Sequence, residues 1–249
     1  MYDGNMEKFN KIKKQKNVYV IAEACLNHNG NYCLAKMLVD LAKDTGCDAV
    51  KFQTFNRSKK LPYDNLSYGD TYRIKKYCDT RDITFFSTPY TYRAVDFLQT
   101  IVPFYKIASA QIVDDGFVEH IKNKHLPIIA SVGSKKNPDG LATLSEIDHF
   151  LSLVDTSRLI LLYCVSKYPH DGFEKDKFME LQRRYPDIPW GFSCHSKDIK
   201  YSLEAVDCGA CIVEQHITLD DNIVCPDQHV SLNPDRLQKL VNNIRGKQK

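Results

Sequence analysis

The sequence has 249 residues, of which 43% are hydrophobic and 26% charged, with a formal net charge of only +3. This composition predicts one or two globular domains with a sizeable core. The charge is too small to indicate nucleic acid as a partner, and no apolar run approaches the ~20 residues that span a membrane. The basic residues before Val18 lack the apolar stretch of a secretory signal. We therefore expect a soluble, cytoplasmic protein.

The nine cysteines are an odd number spread over a long chain. Without a signal peptide, this pattern is more typical of reduced thiols than of disulfides. Cys208 and Cys211 form a C-x-x-C pair, but they join the end of a predicted helix to the start of a strand. Their position favours packing in the core over a redox function.

The stretch from Val18 to Thr54 predicts a strand, a helix and a second strand. Apolar residues from Leu34 to Ala42 recur at i, i+3, i+4, i+7 and i+8, which is one face of a helix. The helix is long enough to connect two parallel strands, whose C-terminal ends then face a common mouth. Glu23 and Lys51 end these two strands, so we expect them to lie together.

The same alternation continues along the chain and predicts eight strands and eight helices. The expected fold class is α/β, a single (β/α)8 TIM barrel over residues 18–249. The basic arm at 1–17 should either fray or form a small cap. Asn137 and Pro138 predict the N-cap and first position of the helix whose apolar face includes Leu144 and Phe150.

Most polar residues of interest lie just after a predicted strand, at the rim that carries the active site in this fold. Each alone could be an ordinary loop residue, but together they should converge in space. They are Glu23, Lys51, Gln53, Thr88, Lys106, Ser109, Ser131, Ser166, Tyr168, Ser193, His195, Glu214 and His216.

Two lysines are predicted within this rim, although lysine is rarely buried without a partner. Lys51 and Lys106 could extend their amines to solvent or pair with Glu23. The interpretation we favour is a doubly cationic floor for a phosphate, assisted by neighbouring serine hydroxyls.

Two histidines end neighbouring strands, His195 on the seventh and His216 on the eighth. Two imidazoles within reach of one ion suit a divalent metal such as manganese, zinc or iron. The alternative is a pair of loop histidines satisfied by hydrogen bonds.

Eight short motifs, in order, resemble those of the sialic acid synthase family, the phosphoenolpyruvate-dependent synthases of N-acetylneuraminate and related nonulosonates. The resemblance covers residues 18 to about 245. The motifs are IAEACLNHNG at 21–30, DAVKFQT at 48–54, STP at 87–89, YKIAS at 105–109, YP at 168–169, GFSCH at 191–195, VEQH at 213–216 and PD at 226–227.

The resemblance implies that phosphoenolpyruvate and an aldose condense to a 3-deoxy sugar acid and phosphate. Glu23, Lys51 and Lys106 would be the catalytic residues, with Glu23 taking a proton from the attacking water. The implied substrate-binding residues are Gln53, Thr88, Ser109, Gln111, Ser131, Ser166, Tyr168, Ser193, Glu214 and Asp227.

The resemblance also implies a divalent metal on His195 and His216 that polarises the aldehyde of an open-chain amino sugar. Glu214 would orient the metal ligands, and Asp227 would contact sugar hydroxyls. Manganese or magnesium is the expected metal. Cys194 could add a thiolate, which would favour zinc or iron.

Several positions depart from the family pattern. Gln111 replaces an acidic residue, Cys194 replaces an aspartate, and Ser134 ends a turn that usually ends in methionine. The loop from Phe55 to Leu66 is short, and the sequence stops at Lys249 without the family's antifreeze-like C-terminal domain. These departures concern the sugar half of the site, so the acceptor is expected to differ more than the reaction.

Two alternatives remain open from the sequence. One is a non-catalytic or regulatory barrel that binds phosphoenolpyruvate or a sugar. The other is a metal-dependent aldolase or lyase on the same scaffold. A homodimer and a separate polypeptide that caps the site are also left open.

Overall fold

The computed structural model describes residues 2–14, 17–55, 65–137 and 139–247. Within them, eight parallel strands form one sheet in the order β3-β2-β1-β8-β7-β6-β5-β4. The two end strands, β3 and β4, lie against each other, so the sheet is a nearly closed barrel. The strands are β1 Tyr19–Cys25, β2 Ala49–Thr54, β3 Thr84–Pro89, β4 Tyr105–Ile107, β5 Ile128–Ser131, β6 Leu159–Cys164, β7 Trp190–Cys194 and β8 Ile212–His216.

One helix follows each strand, and an additional helix precedes the first. This alternation confirms the predicted (β/α)8 barrel. The helices of the described residues are α1 Tyr2–Lys14, α2 Tyr32–Asp44, α3 Tyr68–Thr80, α4 Tyr92–Leu98, α5 Asp115–Lys122, α6 Leu144–Leu153, α7 Lys175–Arg184, α8 Lys200–Asp207 and α9 Pro234–Gly246.

The segment before the barrel is helical rather than extended. Phe9 and Ile12 of α1 are buried in the main core, and the Phe9 ring centroid lies 6.1 Å from that of Phe104. Phe104 immediately precedes β4, at the end of the barrel opposite the strand C-termini. Helix α1 therefore packs on the face away from the predicted site.

Strand register determines which polar side chains meet at the mouth of the barrel. Glu23 of β1 pairs with Lys51 of β2 on one side and with His216 of β8 on the other. Ser193 of β7 pairs with Glu214 of β8. The register shifts between Glu23 and Cys25, which marks a β-bulge at the end of β1.

The predicted start of helix α6 is wrong. The helix begins at Leu144, where the Thr143 hydroxyl accepts the Glu146 N–H at 3.2 Å and the Glu146 carboxylate accepts the Thr143 N–H at 2.7 Å. This reciprocal capping box leaves Asn137 in the preceding loop, where its amide donates to the Leu141 carbonyl at 2.6 Å. Pro138 lies outside the described residues.

The short loop predicted between Phe55 and Leu66 lies mainly outside the described residues, since positions 56–64 are not among them. All nine cysteines are free, including the C-x-x-C pair Cys208 and Cys211, which are half-buried. Every helix in the described ranges is either too short or too polar to cross a bilayer.

Candidate active site

A cavity of about 190 Å³ opens at the C-terminal ends of the strands. All the predicted catalytic, substrate-binding and metal-binding residues line it except Gln111 and Asp227. The lining also includes Tyr90, Lys135 and Cys164, which the sequence analysis did not identify. Cys164 could have been found, because it ends β6 two residues before Ser166 and alternate strand residues share a face.

Lys106 occupies one side of the cavity and is bonded only to neutral oxygens. Its Nζ donates to the Ser131 hydroxyl at 2.7 Å and to the Ile107 carbonyl at 3.0 Å, and its side chain is buried. No carboxylate of the described residues forms an ion pair with it. A buried ammonium without a directly paired carboxylate is a favourable site for an anion.

A glycine turn beside Lys106 brings backbone close to the cavity. The Gly133 N–H donates to the Ser109 hydroxyl at 3.1 Å. A Cβ at Gly133 would lie 2.8 Å from that hydroxyl, 2.6 Å from the Cys164 carbonyl and against the Ser166 hydroxyl. Only glycine fits this approach, so Ser109 and Ser166 can both remain at the cavity surface.

Lys51 occupies the other side and is neutralised by acids. Its Nζ forms ion pairs with Glu23 and, at 3.5 Å, with Glu214, and it donates to the Thr88 hydroxyl at 3.3 Å. Burial lowers the pKa of Lys51 to about 8, with Glu214 acting in the opposite direction and Lys106 adding to the lowering. The salt bridge to Glu23, which was the predicted alternative for Lys51, is present. The Lys51 side chain lines the cavity as well.

Both acids beside Lys51 are held in position. Glu23 accepts the Cys25 N–H at 2.7 Å, and Glu214 accepts the Ser193 hydroxyl at 2.9 Å. Although burial acts to raise it, the charges of Lys51 and Lys106 hold the pKa of Glu214 at about 2. The remaining oxygen of Glu214 has no hydrogen-bond partner among the described residues.

The two histidines lie side by side, with ring centroids 5.5 Å apart. His195 donates from Nδ1 to the Val165 carbonyl at 2.7 Å, so its Nε2 faces the Cys164 sulfur at 4.0 Å. Tyr168 stacks on the His195 ring at 3.9 Å. Burial lowers the pKa of His216 to about 4, despite the nearby Asp227 carboxylate, so this imidazole is neutral. A neutral imidazole is the form that binds a metal.

His216 also belongs to a group of three potential metal ligands. The ligand atoms of Cys25, His216 and Asp227 all lie within 4.8 Å of one another. The His216 Nδ1 is 3.5 Å from the Asp227 carboxylate and has no hydrogen-bond partner in the described part of the chain. Burial and the adjacent carboxylate raise the pKa of the Cys25 thiol well above its usual range. These donors fit a divalent metal, and Cys25 had not been predicted.

The structure does not bring Cys194 or Gln111 to the cavity. Because strand residues alternate, Ser193 and His195 line the cavity while the Cys194 sulfur points away and contacts the Ser196 carbonyl at 3.9 Å. The thiolate expected from Cys194 therefore cannot reach the histidines. Gln111 donates to the Pro89 carbonyl at 2.8 Å and accepts the Ala108 N–H at 3.0 Å, so its amide holds backbone in place.

Comparison with known proteins gives one consistent family. The chain is 31% identical to the N,N'-diacetyllegionaminic acid synthase of Legionella pneumophila, covering 97% of this chain and 76% of the relative. It is 30% identical to the human N-acetylneuraminate-9-phosphate synthase, over 91% of this chain and 69% of the relative.

A solved structure agrees with these relatives. The N-acetylneuraminic acid synthetase of Leptospira borgpetersenii, crystallised with citrate, superposes with a TM-score of 0.85 at 31% identity, covering 93% of this chain and 84% of the other. Residues 61–249 match the sequence profile of the NeuB family. With the barrel and the cavity at its mouth, these matches establish that the chain belongs to the NeuB family.

Proposed function

We propose that this protein condenses phosphoenolpyruvate with an aldose, giving a sialic-acid-like 3-deoxy sugar acid and inorganic phosphate. The observation that carries the proposal is the buried Lys106 ammonium, which faces the cavity with neutral partners only. A multiply charged anion would supply the direct ion-pair partner that this lysine lacks among the described residues. The relatives described as nonulosonate synthases support the same reaction class.

The anion would lie between the two lysines. Lys106 and Lys51 line opposite sides of the cavity, with the hydroxyls of Ser109, Ser131 and Ser166 around them. Charge-assisted hydrogen bonds from ammonium and hydroxyl groups hold phosphate and carboxylate oxygens. The close approach of Gly133 keeps the serines at the surface, which provides several donors for one small ligand.

The reaction forms one carbon–carbon bond and breaks one carbon–oxygen bond. The enol carbon of phosphoenolpyruvate attacks the aldehyde carbon, water adds to the resulting cationic centre, and phosphate leaves with its bridging oxygen. Glu23 is the proposed base for that water, because its carboxylate is buried, held by the Cys25 N–H, and faces the cavity. The carboxylates of Glu23 and Glu214 would also stabilise the positive centre.

A divalent ion at His216 would polarise the acceptor aldehyde and raise its reactivity. The neutral imidazole and the unpaired Nδ1 of His216 fit this function, with His195 beside it. Tyr168, stacked on His195, would close one side of the acceptor position. The acceptor is an N-acetylmannosamine-like or related amino sugar, and Gln111 is unavailable to contact it because its amide is bonded to backbone.

The test is phosphate release from phosphoenolpyruvate over a panel of aldoses, with and without an added antifreeze-like domain. We expect phosphate release only when both substrates are present. Either an aldose other than N-acetylmannosamine should be preferred, or turnover should become faster when the antifreeze-like domain is added as a cap. Full turnover of N-acetylmannosamine by this chain alone would contradict the expected preference for another aldose or for an added cap. Bound phosphoenolpyruvate without release for any sugar would favour the non-catalytic barrel.

Cleavage of a sugar acid without phosphate chemistry is the outcome expected of a metal-dependent aldolase or lyase. Size-exclusion chromatography with light scattering during turnover would show whether a homodimer is the active form. The matched control is Lys106→Met. This variant should keep the fold but release no phosphate, so it reports any phosphate that does not come from the proposed reaction.

A further inference from the structure

A third lysine lies at the rim of the cavity, and the proposed reaction has no use for it. Lys135 lines the cavity, but its side chain is exposed, whereas those of Lys51 and Lys106 are buried. Its ammonium lies 5.9 Å from the centroid of the Tyr168 ring and forms neither a hydrogen bond nor an ion pair with any described residue. An exposed cation gains little from an aromatic ring, so this charge is available to a ligand.

Backbone contacts hold the loop that carries Lys135. Gly133 and Leu141 form an antiparallel bridge that closes the loop. The Gly140 carbonyl accepts the Ser166 N–H at 2.9 Å, which joins the loop to the segment after β6. Gly140 has a φ of 80°, a conformation that favours glycine. The backbone therefore presents Lys135 at the rim without help from any contact of its side chain.

The acids near the cavity are all bonded to other groups. Asp139, on the same loop as Lys135, accepts a backbone N–H of that loop at 3.0 Å. Of the described residues that line the cavity, the acids are Glu23 and Glu214, and both form ion pairs with Lys51. The positive charge at the rim is therefore not neutralised by a direct partner from the described part of the chain.

Tyr168 places this charge on the acceptor side of the cavity. Its ring stacks on His195 at 3.9 Å and meets the His216 ring edge-on at 5.9 Å. The proposed function places the acceptor aldehyde at these histidines. Phosphoenolpyruvate would lie deeper, against the buried ammonium of Lys106. An exposed ammonium at the rim, such as that of Lys135, would then meet the end of the acceptor that is remote from the aldehyde.

We propose that Lys135 selects an aldose with an anionic group, a phosphate ester or a carboxylate, at the end remote from its aldehyde. An ammonium has three N–H donors and forms charge-assisted hydrogen bonds with either group. A neutral aldose offers only hydroxyls at that end, and hydrogen bonds between an ammonium and a neutral group are weaker. The inference rests on the proposed function, and it narrows the acceptor from amino sugars in general to anionic ones.

The experiment compares three aldoses in the phosphate-release assay with saturating phosphoenolpyruvate. They are N-acetylmannosamine, its 6-phosphate and the corresponding uronic acid. We expect kcat/KM to be at least about tenfold higher for one anionic aldose than for the neutral sugar. The preferred aldose identifies the group as phosphate or carboxylate. Equal values for the three sugars, or a preference for the neutral one, would overturn the inference.

Variants of the lysine test whether it is the source of the preference. Lys135→Ala should lower kcat/KM for the preferred anionic aldose by about 10–100-fold, the usual loss for a hydrogen bond to a charged group. Lys135→Arg should retain most of the preference, because it retains the charge, and Lys135→Glu should reverse it. An unchanged preference in Lys135→Ala would overturn the assignment. So would a rise in the KM for phosphoenolpyruvate in place of the KM for the aldose.

The next residue in the chain provides a matched control. Lys136 is also exposed but does not line the cavity, so Lys136→Ala removes the same charge from the same loop. This variant should keep the preference for the anionic aldose. If the two alanine variants lose the preference equally, the general charge of the loop is responsible, and the assignment to Lys135 is wrong.

Failure of this inference and failure of the proposed function give different results. Phosphate release without any preference for an anionic aldose would reject the inference alone. If no aldose releases phosphate, the reaction is rejected, and calorimetry on protein saturated with phosphoenolpyruvate then measures binding of the same three sugars. Tighter binding of an anionic aldose by the wild type than by Lys135→Ala would support the inference, and equal affinities would overturn it.

Discussion

The two sides of the cavity have opposite electrostatic deficits. On the β4–β5 side, the Lys106 ammonium is hydrogen-bonded to a hydroxyl and a carbonyl and forms no direct ion pair with a carboxylate of the described residues. On the β1–β8 side, Cys25, His216 and Asp227 offer donors without a cation. Lys51 has no such deficit, because its charge is satisfied by Glu23 and Glu214. In the proposed function, an anion completes the first side and a metal ion completes the second.

Residues that stabilise the fold are therefore distinct from residues that are expected to bind a ligand. Lys51 belongs to a closed ion network, whose members depend on one another in the folded protein. Lys106 and His216 are instead the residues at which the proposed function places an anion and a metal ion. Substitutions on the network should therefore affect unfolding, while substitutions on the two ligand-binding sides should affect binding.

The largest effect is expected at the network. Lys51→Met leaves Glu23 and Glu214 buried without their cation, and removing one partner of a buried pair typically costs about 3–5 kcal/mol. At roughly 2–4 °C per kcal/mol for a chain of this size, the melting temperature should fall by roughly 6–20 °C in calorimetry. Adding Glu23→Gln to this variant should recover part of the loss. A melting temperature within experimental error of the wild type would contradict the network.

The second effect concerns anion binding at Lys106. Lys106→Met removes an ammonium that has no carboxylate partner in the described residues, so its stability cost should stay near that of a lost hydrogen bond, about 1 kcal/mol. Affinity for phosphoenolpyruvate should fall by about 2–5 kcal/mol, the usual cost of truncating one partner of a desolvated charge pair. Isothermal titration calorimetry measures the affinity of the wild type and of Lys106→Met for phosphoenolpyruvate. Equal binding by wild type and Lys106→Met would mean that this lysine does not hold the anion.

The contrast also explains what could be predicted from the sequence. Lys51, Lys106, Ser193 and His195 follow apolar strands, and parallel strands of a barrel bring their C-terminal ends to one mouth. Period-two alternation alone would have placed Ser193 and His195 inside and Cys194 outside, so assigning Cys194 to the metal did not follow the strand pattern.

Cys25 could not be found in this way, because a bulge interrupts the alternation and a left-handed non-glycine residue leaves no signature in sequence. The partners of Gln111 were equally hidden, since its amide bonds to the backbone of Pro89 and Ala108, contacts that depend on loop conformation. Asp227 was named only through the family resemblance, and its contact with His216 depends on the segment after β8.

A third effect is the pH dependence of anion binding. The pKa of Lys51 is about 8 in the folded protein, so its ammonium is present below pH 8 and is lost as pH rises through that value. Affinity for phosphoenolpyruvate should therefore be constant below the pKa and fall by up to about tenfold per pH unit above it. Phosphate monoesters have a second pKa near 6, so the ligand charge does not change between pH 7.5 and 9.5.

Lys51→Arg is the control for this prediction, because arginine keeps its charge throughout that range. Its affinity should be nearly independent of pH between 7.5 and 9.5 in the same titrations. If the decline persists in Lys51→Arg, another group is responsible, and the Cys164–His195 pair in the same cavity would be tested with Cys164→Ser.

The smallest effect is expected from the backbone conformation of Cys25, on the β1–β8 side of the cavity. In metal-free protein, Cys25→Gly should be more stable than Cys25→Ala by roughly 1 kcal/mol, because a Cβ at a φ of 48° opposes the left-handed conformation. The same pair of substitutions at Cys164, within strand β6, should reverse the order, since glycine weakens a strand. Urea unfolding gives both differences. Equal stability of Cys25→Gly and Cys25→Ala would show that the backbone at this position does not oppose a Cβ.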